Sequence, residues 1–554
     1  MTPREAWLAR LRARRFDVLV IGGGIVGAGI ARDAAMRGLS VALIEQGDFA
    51  SGTSSKTSKL IHGGLRYLEH GHLRLVFESL RERAVLRDIA PSVVHPLSLL
   101  LPAFRGDARS PWTINAGLWL YDLLAAGRNI RPHQMLSARK ALALEPGLRV
   151  DGLRAAGLYA DCQMDDARLC LANILQAVSF GAICANYVRL QALLKADGRV
   201  CGAAAEDVLT GATCEIQARA VVNATGPWSD RLRSLSDPGA AARLSPTKGI
   251  HLLLPRVARE ALFVQKREDR RMLFVLPWGD YSLVGTTERL VRGPIEQLAA
   301  DADEVDYLLD AVNHLLPSRR LDERDIIATF AGARPLLAFS GSSSVASREH
   351  LIEVDRWGLV SVLGGKFTTY RRMAEQTVDL LVARNRWKTD RCLTDQVNLL
   401  EVLQPSSLQY WGELTRAADP DLLARLLARY GAGTVPILQL LATDPTLAQP
   451  VCPHHETIVA ELVHAVTREF ACTITDVMAR RTRLAWSSCQ GLDALSTVTR
   501  VFDRYTDLSL TRLAHLVADY QQFLARGLAF RRTPPSFQEP VADTIASLPQ
   551  PTHD

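Results

Sequence analysis

The hydrophobic pattern of the chain changes character along its length. Asp17 to Ile21 is a compact, β-branched run, followed by glycines, a helix-compatible stretch to Arg37 and a second strand over Ser40 to Glu45. Two short apolar runs bracketing a helical period predict a βαβ opening. A loop dense in Ser, Thr, Lys and Gly then runs from Ala50 to Gly64, and helical spacing (Leu73, Val76, Leu80) continues to about Arg87. So polar a loop is either flexible or a binding surface. The segment Ile114 to Ala126 is apolar on most faces, which predicts a buried helix, with a membrane-dipping patch as the weaker reading.

Strand signals return at 218–223, 250–254, 272–276, 282–286, 351–354 and 359–362, so the middle of the chain reads as α+β. After about Ala383 the spacing becomes almost wholly helical, through 422–430, 458–470, 475–484 and 510–526, which predicts a separate helical domain. From Arg532 the sequence is rich in proline and aperiodic, the pattern of a mobile tail.

Composition narrows the class. A chain of 554 residues exceeds one simple core, so two or three domains are expected. With 48% hydrophobic and 22% charged residues it is globular rather than disordered or fibrous. The formal charge of +6 suits an anionic substrate or membrane surface, and nucleic acid is not among the expected partners. Nine scattered cysteines, none at CxxC spacing, point to neither a disulfide framework nor a zinc ribbon, and a cytoplasmic location is the simplest reading. Cys452-Pro453-His454-His455 reads as a helix-capping loop, since no complementary ligands flank it, and no metal is expected. The arginine-rich N-terminus lacks an apolar h-region, so it is not read as a secretory signal. Trp7, Leu8 and Leu11 alternate there with arginines, which predicts a solvated first helix ahead of a surface anchor. No run of about 18 apolar residues exists to span a membrane.

The most specific local chemistry is in DVLVIGGGIVGAGIARDAAMRGLSVALIE, where Gly22, Gly24 and Gly27 stand at GxGxxG spacing between strand and helix. Gly22 permits the tight turn, Gly24 lets backbone approach a pyrophosphate, Gly27 allows close helix–strand contact, and the helix N-terminus attracts the phosphates. Glu45, closing the second strand, can accept from ribose hydroxyls and disfavours a 2′-phosphate. This fingerprint alone does not separate FAD from NAD. The turns Asn223-Ala224-Thr225-Gly226 and Gly364-Gly365-Lys366, each after a strand, suit a second approach to a flavin nucleotide, and no second GxGxxG in strand-to-helix context is found for NAD(P).

With these motifs in view, the chain resembles the FAD-dependent glycerol-3-phosphate dehydrogenases of the aerobic, membrane-associated type. The resemblance rests on TSSKTSKLIHGGLRYLEH (53–70), QMDDARL (163–169), VNATGPW (222–228), GARPL (332–336), GGKFTTYRRMAE (364–375) and DVMARRTRLAW (476–486). It implies FAD-linked oxidation of glycerol 3-phosphate to dihydroxyacetone phosphate, with electrons passed to membrane quinone. The fold expected is α/β and α+β: a Rossmann-like FAD-binding domain interleaved with a β-sheet substrate domain (about 80–160 and 245–335) within 1–385, an all-helical C-terminal domain over 386–531, and a tail over 532–554. By the same resemblance, Arg66, Tyr67, Arg334, Arg348, Lys366 and Thr368 line the substrate side, and Ser54, Ser55, Ser58, Lys59, Leu60, Val188, Thr225, Gly226 and Gly365 face FAD. Peripheral contact with the inner face of the cytoplasmic membrane is expected, and dimer formation is left open.

The residues support this chemistry on their own terms. A phosphorylated substrate needs fixed cations, and Arg66, Arg334, Arg348 and Lys366 come from four separate stretches. Loss of a hydride from an alcohol carbon requires a base for the hydroxyl proton, for which His62 and His251 are candidates, although a structural role is the expectation for His251. Lys366 or Arg334 could stabilise a developing alkoxide. The alternatives are an oxidase that uses oxygen, and a non-catalytic flavin-binding redox sensor.

Overall fold

In the computed structural model, residues 3–266, 268–338, 349–399, 412 and 414–531 are described. They group into two compact units. One comprises the chain up to Leu298 together with Asp303–Asp325 and Phe330–Leu399; the other holds Ala299–Ala302, Ile326–Thr329 and the described residues beyond Leu399.

The first unit is built on two sheets. In one, the apolar strand Phe16–Ile21 lies between Val41–Ile44 and Thr213–Asn223, both parallel to it. Ile183–Ala185 and Val360–Gly364 extend the parallel array on either side. Such strands are covered on both faces, which is why they read as unbroken apolar runs. Against one face packs the fingerprint helix Ile25–Met36, itself touching the helices Asp166–Ser179 and Tyr370–Asn385. Contact there is close enough that a Cβ on Gly29 would lie 2.9 Å from the Tyr370 ring. On the other face, the first helix, Pro3–Arg12, is not the solvated element expected. Leu8 and Leu11 are buried in the core with Leu19 and Ala42, and the Trp7 indole N–H donates to the Cys184 carbonyl at 2.6 Å.

The second sheet is dominated by the antiparallel pair Val94–Phe104 and Leu153–Met164, and continues through Ala261–Gln265, Met272–Trp278, Tyr281–Gly285 and Thr247–Pro255, with Ala328–Arg334 beside the last. The helix Pro111–Leu124 starts at Ser110, whose hydroxyl accepts from the Thr113 N–H, with Pro111 inside the first turn. The expectation of a buried helix is overturned here. Ile114, Leu118 and Tyr121 face inward, over Gly157, while Trp112, Trp119 and Leu123 are 82%, 64% and 75% exposed. Those three residues recur at spacings of seven and four, a stripe about 40° wide on the helix surface.

The second unit is mainly helical, with Pro420–Tyr430, Thr434–Thr443, Val459–Arg468, Leu495–Tyr505 and Leu510–Gly527 around a core that includes Leu426, Leu462, Met478, Phe502 and Tyr520. It is not free of strand. Pro450–Cys452 and His455–Ile458 form an antiparallel hairpin, so the Cys-Pro-His-His segment is a β-turn rather than a helix cap. The proline-rich stretch from 532 lies outside the described residues, and no helix among those described is long and apolar enough to cross a membrane.

Candidate active site

Where the first strand ends, Gly22 turns with φ +115°, and a Cβ there would lie 2.5 Å from the Ala224 carbonyl oxygen. A Cβ on Gly27 would sit 1.9 Å from the Gly22 carbonyl oxygen, so helix and strand meet at a separation that only glycine allows. Gly24 is different: the one atom near its virtual Cβ is Ser54 Oγ, at 3.2 Å. Gly24 caps the helix without a side-chain cap, and no acidic residue occupies the first turn. The N-terminus therefore keeps its positive character, with the Ile25 N–H donating to Ser54 Oγ at 2.9 Å.

Glu45 closes the neighbouring strand. Its carboxylate accepts from the Gly23 N–H at 2.7 Å and the Gly47 N–H at 2.9 Å, while burial pushes its pKa up. Val188 is buried beside it and donates its N–H to the Glu45 carbonyl at 2.7 Å. On the other side of the strand, Asn223 Oδ1 accepts from the Thr225 hydroxyl at 2.7 Å, and Gly226, at φ +58°, faces open space. Gly22, Gly24, Gly27, Glu45, Ser54, Val188, Thr225 and Gly226 thus gather around one end of the parallel sheet. A helix N-terminus with no acidic residue in its first turn, a glycine with room in front of it and a carboxylate on the next strand fit a dinucleotide.

The loop 50–64 runs from this cradle to the second sheet. The Thr53 hydroxyl donates to the Ala333 carbonyl at 2.6 Å. Lys59 turns inward at φ +57°, and its ammonium donates to Asp166 Oδ1 at 2.6 Å and to the Ser55 carbonyl at 2.8 Å. Both the Thr57 N–H and hydroxyl reach Asp166 Oδ2. Because this ion pair is buried, its charges serve to pin the loop, and what the loop can offer a ligand is its backbone and hydroxyls. Leu60 is buried in strand pairing with Gln163.

Ser58 links the cradle to the second sheet, its Oγ lying 2.8 Å from His251 Nε2. The His251 ring stacks on Phe330, 4.9 Å between centroids, and lies against Gly285, where a Cβ would fall 2.3 Å away. Nδ1 is buried and has no hydrogen-bond partner among the described residues. Burial, then the nearby positive charges of Arg334 and Lys59, hold the imidazole pKa well below 6.5. Arg334 Nη2 donates to the Thr286 hydroxyl at 2.8 Å, and both Nη atoms reach the Thr287 carbonyl at 3.2 Å.

From Gly285 the site continues to its strand partner Phe274 and on to His62, whose ring meets Phe274 edge-on at 6.2 Å. The His62 backbone N–H donates to Thr368 Oγ1 at 3.3 Å. Lys366 Nζ sits 3.8 Å over the Tyr67 ring and donates to Ser79 Oγ at 3.2 Å, with Arg66 half-buried on the same short helix as Tyr67. Gly365, at φ +93°, donates its N–H to the Glu349 carbonyl at 3.1 Å. Lys366 and Tyr67 thus meet on one side of the His62 turn, and Phe274 and Gly285 link His62 to the buried His251 and its partner Ser58. Arg348 lies outside the described residues. The sequence did not single out Asp166, Thr286 or Thr287; Asp166 stands in a motif noted above, but nothing in its spacing signals an ion pair.

Comparison with known proteins agrees with this geometry. Residues 17–371 match the model of the FAD dependent oxidoreductase family, and 363–512 match that of the C-terminal domain of alpha-glycerophosphate oxidase. Glycerol-3-phosphate dehydrogenase 2 of Mycobacterium tuberculosis (strain ATCC 25618 / H37Rv) is 36% identical over 524 residues, covering 93% of this chain and 89% of that protein. The aerobic glycerol-3-phosphate dehydrogenase of Bacillus subtilis (strain 168) is 34% identical over 496 residues, 86% of this chain and 89% of the relative. The solved structure of the glycerol-3-phosphate dehydrogenase from Bacillus halodurans complexed with FAD superposes with a TM-score of 0.74 at 29% identity, covering 97% of this chain and 99% of that one.

Proposed function

Since the chain belongs to the FAD-dependent glycerol-3-phosphate dehydrogenases, we propose that it oxidises sn-glycerol 3-phosphate to dihydroxyacetone phosphate and passes the electrons to a membrane quinone. FAD, when bound, supplies the two-electron acceptor for the hydride that leaves the alcohol carbon. Gly22, Gly24, Gly27 and the helix N-terminus hold its pyrophosphate, Glu45 its ribose, and the 54–60 loop, Thr225, Gly226 and Gly365 line the remainder.

The chain's own groups then divide the work on the substrate. Arg334, Lys366 and Arg66 fix the phosphate, with Tyr67 and Thr368 completing that side. His251 takes the hydroxyl proton. Its neutral state at physiological pH follows from the lowered pKa, and the Ser58 hydroxyl, 2.8 Å from Nε2, can give or accept the hydrogen of that contact, so in either tautomer the ring keeps one lone pair to accept with. That single observation, a buried imidazole held neutral and fixed against Ser58 near the Arg334 guanidinium, carries the reading. Arg334 stabilises the negative charge that develops on the oxygen.

The decisive experiment is anaerobic addition of glycerol 3-phosphate to the purified yellow holoprotein: bleaching is expected, and an unbleached flavin would end the reading. Quinone reduction without stoichiometric peroxide is the expected oxidative half; peroxide as the main product would make the protein an oxidase instead. Replacing Arg334 by Ala removes a charged hydrogen-bonding partner, and KM is expected to rise on the order of 10–100-fold with FAD retained. Loss of flavin from that variant would move Arg334 to the cofactor side.

A quinone acceptor implies contact with the bilayer, and the exposed stripe Trp112, Trp119 and Leu123 supports it, flanked by the exposed Arg105, Arg128 and Arg131. Aromatic and aliphatic side chains on a helix with exposed arginines before and after it in the chain suit an anionic lipid interface. Flotation with vesicles containing phosphatidylglycerol is expected to carry the protein, and the double variant Trp112→Ser/Trp119→Ser to remain in the soluble fraction; equal flotation of both would remove this helix from the contact.

A further inference from the structure

The turn His62-Gly63-Gly64 carries one of the site's two histidines on a backbone that contains two consecutive glycines, one of them at φ +82°. Glycine pairs are the least restrained backbone available, so a fixed imidazole at this point requires an external hold. The structure supplies one from each side. Thr368 Oγ1 meets the His62 N–H at 3.3 Å. From the other side, the Gly63 N–H donates to Tyr121 Oη at 2.9 Å and to Asp161 Oδ1 at 3.3 Å. The Tyr121 hydroxyl in turn donates to the Asp161 carboxylate, 2.8 Å from each oxygen, and Arg83 Nη1 closes the set at 2.6 Å from Asp161 Oδ1. All three side chains are buried, although they come from two different helices and a strand.

We infer that Tyr121 and Asp161, held by Arg83, are positioning residues for the oxidation proposed above, acting by clamping the His62–Gly64 turn against the substrate face. Several features separate this from ordinary core packing. The approach is so tight that a Cβ on Gly63 would lie 2.5 Å from Tyr121 Oη and 2.5 Å from Leu80 Cδ2, so glycine is required for the contact itself. Burial and the Asp161 charge keep the phenol pKa well above 10, so its proton stays in place and its lone pair faces the Gly63 N–H. The same turn abuts Lys366, whose Nζ lies 3.5 Å from the position a Gly64 Cβ would take. A shift of the turn therefore moves His62 and the surroundings of Lys366 together. Misplacement by about 1 Å is enough to cost about 100-fold in rate when reacting groups must be aligned.

This inference rests on the proposed activity, and the test keeps the two apart. In holoprotein carrying Tyr121→Phe, which preserves the ring and deletes the oxygen, hydrogen exchange of amides in the 60–66 segment is expected to speed up at least about tenfold, with flavin content unchanged. The rate of anaerobic flavin reduction at saturating glycerol 3-phosphate is expected to fall by at least about tenfold, while reoxidation of dithionite-reduced flavin by a soluble quinone stays within about twofold. Tyr159→Phe, which removes the hydroxyl of the ring that packs edge-on against Tyr121 at 5.9 Å, is the control and is expected to change neither. Unchanged exchange in the 60–66 segment, or a Tyr121→Phe protein reduced as fast as wild type, overturns the inference. So does an equal fall in both half-reactions, or a drop in Tm at unchanged rate per flavin. Failure of wild type to bleach overturns the activity instead, and the exchange measurement still decides whether Tyr121 clamps the turn.

Discussion

Gly27→Val is expected to yield colourless protein. The first atom of any side chain at this position falls 1.9 Å from the Gly22 carbonyl oxygen, which real Cβ atoms do not approach. Relief requires the fingerprint helix to lift off the strand, and the helix N-terminus that faces the pyrophosphate moves with it. Gly24→Ala provides the contrast. Its added methyl meets only Ser54 Oγ at 3.2 Å, so the apoprotein fold should be kept while the ground in front of the helix is occupied. The ratio of flavin to protein absorbance should fall below about a tenth of wild type for Gly27→Val, with Tm lowered as well, and fall without a matching loss of Tm for Gly24→Ala. A fully yellow Gly27→Val protein would remove the fingerprint from FAD binding.

His251→Gln should cost on the order of 10²–10⁴-fold in the rate of flavin reduction, the range for a positioned acid–base group. Glutamine keeps a polar group near Ser58 but has no nitrogen lone pair to receive the hydroxyl proton. FAD content is expected to be unchanged. Because burial and two neighbouring cations disfavour the imidazolium, the wild-type acid limb should lie below pH 6.5. The lowered pKa means that protonation opposes the native arrangement, so stability should decline progressively as pH falls from about 6.5, where the unfolded imidazole takes up its proton, towards the depressed folded value, at which the rate is lost, and neither should change above about pH 7. A plot of kcat/KM against pH settles the point: an acid limb at or above 6.5, or a Gln variant within about threefold of wild type, would transfer the role to another group.

How much of this was legible in the sequence depended on whether a residue's duty is local. The glycines of the fingerprint act on their immediate neighbours, and their spacing announced both the turn and the helix. The longest strand pair did not show. Val94–Phe104 carries Pro96 and Pro102, and Leu153–Met164 is rich in Ala and Gly, so neither has much intrinsic strand preference; their pairing with each other supplies what propensity lacks. Val188–Ala196 and Arg199–Asp207 have the Ala and Leu content of a helix, yet the Asp197-Gly198 pair between them, both at positive φ, is a hairpin signal that outweighs it. The site follows the same division. His62, Arg334 and Lys366 stood out within motifs, whereas Tyr121, Asp161 and Thr286 become neighbours of the site only through sheet register and helix packing. The helix Pro111–Leu124 shows a further limit: apolar content signals that a face needs cover, and not whether protein or lipid provides it.

That helix has one more consequence. Its outer stripe and its inner Tyr121 are parts of a single rigid rod, and Tyr121 touches the amide next to His62. An event that favours one orientation of the rod at the outside selects among orientations of the histidine turn at the inside. Thermodynamic reciprocity then fixes the sign: if a surface grips the rod more firmly when the turn is ordered, a ligand that orders the turn must strengthen the grip on the surface by the same factor. Substrate would then act as an adhesive.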